Sequence, residues 1–70
     1  MQRAIATRVR FAEASIARNI VRRRKATGLS QKELAKQAGI RVEVLNRAER
    51  GVVVPSTRTL TKIEVALGKA

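Results

Sequence analysis

The sequence predicts an all-α domain built mainly from short helices, and three observations predict it. Apolar residues recur at helical spacing along most of the chain. Glycines at 28, 39, 51 and 68 each follow such a segment, as helix C-termini require, because glycine enters the left-handed conformation without steric cost. Ser30 and Glu33 stand three apart just before an apolar run. That is the spacing of a capping box, in which the Ser30 hydroxyl accepts from the Glu33 N–H and the Glu33 carboxylate accepts from the Ser30 N–H. The implied helices end near Ala26, Ala38, Arg50 and Leu67.

Residues 1–15 (MQRAIATRVRFAEAS) are good helix formers with few breakers. Ile5, Val9, Ala12, Ile16 and Ile20 follow at spacings of four, three, four and four, one continuous stripe. This fits one helix running to Ala26, or two helices with a break near Ala14–Ser15. We divide the chain accordingly into a basic amphipathic extension, 1–15, and a main domain, 16–70. The extension reads equally as a dimerisation or partner-binding arm and as a frayed basic tail. Arg22, Arg23, Arg24 and Lys25 close the helix, where cations suit its dipole and also lie within reach of phosphate. Residues 1–29 carry eight basic residues and one acid, a net +7.

The next helix should begin at Gln31, with Leu34, Ala35 and Ala38 on one side, and Gly39 should turn the chain. A second periodic run places Val44, Leu45 and Ala48 on one face, and Gly51 ends it. Two short helices joined by about three residues must cross steeply, the helix-turn-helix geometry. Leu34, Ile40, Leu45 and Ala48 would fill the space between them. Val52-Val53-Val54-Pro55 reads as an extended loop, being short and ending at proline. Ser56 then caps a last helix with Leu60, Ile63, Ala66 and Leu67 as its buried stripe.

Sixteen Lys and Arg against five Asp and Glu give 70 residues a net charge of +11, which repels the compact chain from itself and attracts a polyanion. Phe11 is the one aromatic residue, whereas readers of single strands stack bases on aromatic rings, so duplex DNA is the expected polyanion. There is no Cys and no His. Disulfides, the usual zinc ligands and any evident catalytic constellation are absent, so we expect neither enzyme nor cofactor. No apolar run is long enough to span a bilayer and no signal peptide is evident, so we expect a cytoplasmic protein without a membrane partner.

The stretches GLSQKELAKQAGI, LNRAERG and PSTRTLTKIEVALG resemble the Xre-type, or lambda-repressor-like, helix-turn-helix domain over roughly Ile16 to Leu67. The resemblance implies a five-helix bundle, helix 1 extended or not by the N-terminal segment. It implies that Arg24 pairs with Glu49 inside the domain, and that Gln31 contacts phosphate with support from Ser30 and Lys32. Helix 42–50 would lie in the major groove. By position, Arg41, Val42, Glu43, Asn46 and Arg47 then reach base edges. Glu43 has a second reading, an i, i+4 pair with Arg47. Arg50, Ser56, Thr57 and Arg58 are further phosphate candidates. The chain departs from the family at Arg41 and Val42, where the family commonly has a Ser or Thr cap followed by polar readers. A lost cap costs about 1 kcal/mol.

The expected function is a sequence-specific regulator of transcription, a repressor that binds double-stranded DNA as a homodimer. The alternative is an antitoxin that binds a toxin protein and autoregulates its operon, since LNRAERG…PSTRTLTKIEVAL resembles antitoxin-type members as well. A third reading, from another class, is a cationic membrane-active helical protein.

Overall fold

A computed structural model describes residues 2–69, with side chains from residue 14 onward. The expected stripe at Ile5, Val9 and Ala12 therefore lies outside the described side chains. The described residues form four helices, α1 (Gln2–Thr27), α2 (Gln31–Ala38), α3 (Val42–Glu49) and α4 (Thr57–Lys69). The bundle has four helices where five were expected. Neither glycine nor proline interrupts the chain before Gly28, so α1 runs unbroken through Ala14–Ser15. Its 26 residues span about 39 Å, and the molecule measures 41 × 21 × 18 Å.

α2 begins as the sequence predicts. Ser30 Oγ accepts from the Glu33 N–H and Glu33 Oε1 accepts from the Ser30 N–H, each at 3.0 Å. The Ser30 N–H, and then the Ser30 hydroxyl, hold the Glu33 carboxyl below its ordinary range. Ser56 Oγ caps α4 by a single bond to the backbone, accepting from the Thr59 N–H at 3.2 Å.

α1, α2 and α3 end by one shared device. Gly28, Gly39 and Gly51 adopt φ of 77°, 69° and 71°. Their N–H groups donate to Lys25, Lys36 and Ala48 carbonyls, and the next residues, Leu29, Ile40 and Val52, donate to Arg24, Ala35 and Arg47. This pair of bonds satisfies carbonyls that the helix leaves orphaned. Gly68 is different. It lies inside α4, which runs two residues past the expected end at Leu67, because a glycine in a last turn costs only about 1 kcal/mol against alanine.

Each helix sends one large side chain to the centre: Ile20, Leu34, Leu45 and Ile63 are the largest fully buried ones. Ala35, Ala38, Ala48 and Ala66 lie around them, and their small size lets the helix axes approach. Ile16, Leu29, Ile40 and Leu60 seal the edges. Val44 departs from expectation at 38% exposed. The buried face of α3 is set by Leu45 and Ala48, and one residue before Leu45 is a rotation of about 100° away.

Candidate nucleic-acid interface

The side of α3 opposite Leu45 and Ala48 carries Glu43, Arg47 and Arg50, at i, i+4 and i+7, and all three are exposed. The turn at Gly39 brings the start of α2 beside this row. Gln31, Val42, Glu43, Asn46, Arg47 and Arg50 line one open concavity of about 390 Å³. Four of the five expected base-contact residues therefore share one surface with the phosphate candidates Gln31 and Arg50. Arg41 stands outside that lining as the N-cap of α3, exposed and making no side-chain cap bond. Arg41→Ser should therefore stabilise the domain by about 1 kcal/mol, read in thermal melts, because a hydroxyl there can accept from the helix N-terminus. An unchanged melting temperature would show that the uncapped end is already satisfied by water.

The Glu43–Arg47 pair offered by the sequence is not made. Among the described residues the ion pairs are Arg23–Glu64 and Arg24–Glu49. Arg24 Nε and Nη2 donate to the two Glu49 carboxylate oxygens at 2.8 and 2.9 Å, a bidentate fork between α1 and α3. Its remaining nitrogen, Nη1, donates to the Leu29 carbonyl at 2.9 Å, which ties the fork to the first turn. The side chains are 12% and 4% exposed. The hydrogen bonds to Glu49 raise the Arg24 pKa, burial opposes that shift, and the nearby carboxylate charge adds to it. Arg24 thus remains a fixed cation at the root of α3.

Gln31 and Asn46 join this pair. Gln31 Nε2 donates to Glu49 Oε1 at 3.1 Å, and Asn46 Nδ2 donates to Gln31 Oε1 at 3.3 Å. The Arg24–Glu49 pair was expected from the resemblance, but its continuation through Gln31 to Asn46 was missed. The available signal was that Asn46 and Glu49 stand three apart on α3, so they share a side, and Gln31 is the first residue of the helix facing it. Of the other phosphate candidates, Lys32, Thr57 and Arg58 are exposed. Ser30 Oγ is engaged within the cap of α2, accepting from the Glu33 N–H and lying beside the Glu33 carboxylate. Ser56 has its hydroxyl turned to Thr59, donating to Oγ1 at 3.0 Å as well as capping. The loop between α3 and α4 presents Val52, Val53 and Val54 at 40–54% exposure, and these side chains offer no phosphate donor. Among the described residues no helix is long and apolar enough to cross a membrane.

A family model described as helix-turn-helix matches residues 20–70. The chain is 39% identical over 56 residues to multi-protein-binding factor 1 of Yarrowia lipolytica, covering 80% of this chain and 37% of that protein. It is 37% identical over 54 residues to multiprotein-bridging factor 1 of Schizosaccharomyces pombe, covering 77% and 36%. The chain thus spans little more than a third of these relatives. No solved structure gives a significant match. An all-α bundle with a capped α2, a glycine turn and an outward polar row on α3, matched by that model over most of its length, belongs to the Xre-type, lambda-repressor-like helix-turn-helix family.

Proposed function

We propose that this domain is a sequence-specific regulator of transcription that lays α3 in the DNA major groove and clamps the flanking phosphates. The observation that carries this reading is the outward row Glu43, Arg47 and Arg50 beside the N-terminus of α2, on a chain of net charge +11. The major groove admits a helix, and helix N-termini offer N–H groups to phosphate. Arg47 is the guanine reader in this arrangement. Two copies bound symmetrically place their α3 helices about 34 Å apart. The relatives are named for binding or bridging several proteins. That favours a regulator that joins DNA to another protein over one that neutralises a toxin. The long α1 supplies the length for such a second contact.

Selection from a random duplex library, repeated across salt concentrations, tests this. Enrichment of two half-sites one turn apart is expected. Arg47→Ala should remove the preference at one base pair per half-site, a loss of about 1–3 kcal/mol in discrimination. Binding that falls with salt and enriches no site would mean that phosphate charge alone drives association, and would sink base readout by Arg47.

A further inference from the structure

Asn46 was expected among the residues that reach base edges, yet its amide nitrogen is turned to Gln31. Reading adenine takes the amide N–H and oxygen together on the base edge. The structure instead shows the Gln31 carboxamide held at both ends, its oxygen by Asn46 Nδ2 and one Nε2 hydrogen by Glu49 Oε1. Glu49 is in turn fixed by the Arg24 fork. A free glutamine amide rotates about a broad, two-fold terminal torsion. With both ends engaged, one orientation remains. A primary amide carries two N–H donors, and Glu49 takes one, so the second stays available in a concavity shared with Arg47 and Arg50.

We propose that Asn46 is a positioning residue. It acts through Gln31, setting the free N–H of that carboxamide for a backbone phosphate of duplex DNA, and it reads no base itself. The proposal rests on the DNA-binding reading above and assigns Asn46 a different role within it. A positioned phosphate donor fixes the register of α3 in the groove and carries no sequence information of its own.

The probe is a fluorescent duplex of roughly 20 base pairs of scrambled sequence, about two turns, titrated with the full chain. Asn46→Ala and Gln31→Ala should each weaken binding about fivefold, the size of one hydrogen bond. The double variant should bind no more weakly than Gln31→Ala alone, because Asn46 acts only through Gln31. Side-chain amide NMR supplies a readout that mere folding would not move. The two Gln31 Nε2 protons should be resolved from solvent-exposed glutamine signals in the wild type. They should move to those positions in Asn46→Ala and in Asn46→Asp, which keeps the shape and lacks the donor, while the backbone spectrum is retained. An Asn46→Ala effect that persists undiminished in the Gln31→Ala background overturns the proposal, as does an unchanged Gln31 amide signal. A wild type with no affinity for the duplex overturns the DNA-binding reading and the proposal with it. The two failures are distinguished by whether the unaltered chain binds.

Discussion

Glu49→Ala is expected to destabilise the domain by about 3 kcal/mol, the cost of breaking a buried pair by removing one partner. Glu49 accepts from Arg24 Nε, Arg24 Nη2 and Gln31 Nε2. Its loss leaves the Arg24 guanidinium, 12% exposed, with the Leu29 carbonyl as its remaining partner. A core from a chain this short rarely supplies more than about 3–5 kcal/mol without a disulfide or metal. The variant should therefore populate the unfolded state substantially near 37 °C. Urea titration followed by far-ultraviolet circular dichroism measures it. A loss under about 1 kcal/mol would show that water replaces Glu49, and that the fork is a surface pair in energetic terms. Glu49→Gln, which keeps one acceptor and the shape, should fall between the two.

Leu45→Ala should cost about 3 kcal/mol as well, by a different route. Leu45 is fully buried beneath α3, and truncation there loses transfer energy and leaves a cavity the bundle fills only in part. Leu45→Met, close in volume, should cost under about 1.5 kcal/mol. The two cases separate in their effect on DNA. Leu45 supports the whole of α3, so the alanine variant should lose affinity for every duplex alike, including under conditions where it stays folded. Retention of full affinity by folded Leu45→Ala would mean that the polar chain from Arg24 to Asn46 orients α3 without help from the core.

What the sequence made legible was what neighbours in sequence decide. Ser30 with Glu33, the glycines at 28, 39 and 51, and Ile63, Ala66 and Leu67 of α4 are local patterns, and the structure places them as read. The Arg24–Glu49 contact, 25 residues apart, became legible through family resemblance, since nothing local to Arg24 separates it from Arg22 or Arg23. The count of five helices came from family resemblance; the residue pattern left α1 open between an uninterrupted helix and a break near Ala14–Ser15, and the structure shows the former. Val44 was misplaced because a valine at the edge of an apolar face satisfies the periodicity from either side. The bond from Asn46 to Gln31 was illegible for a third reason. It depends on the crossing of α2 over α3; the spacing of Asn46 and Glu49 puts them on one side of α3, but only the crossing brings Gln31 to that spot.

The three shared helix ends have a kinetic consequence. Each closes through bonds that reach back only three and five residues, so each helix with its turn is specified by a short piece of chain. Proteins dominated by such near-neighbour contacts cross their folding barrier in microseconds to milliseconds, and topology accounts for most of that speed. Among the connections that must wait for the chain to come together are the shared core and the Arg24–Glu49 fork. A contact absent from the transition state slows unfolding and leaves folding almost untouched. The fork is therefore expected to act as a latch on the lifetime of the native state, while Gly28, Gly39 and Gly51 govern how soon that state is reached.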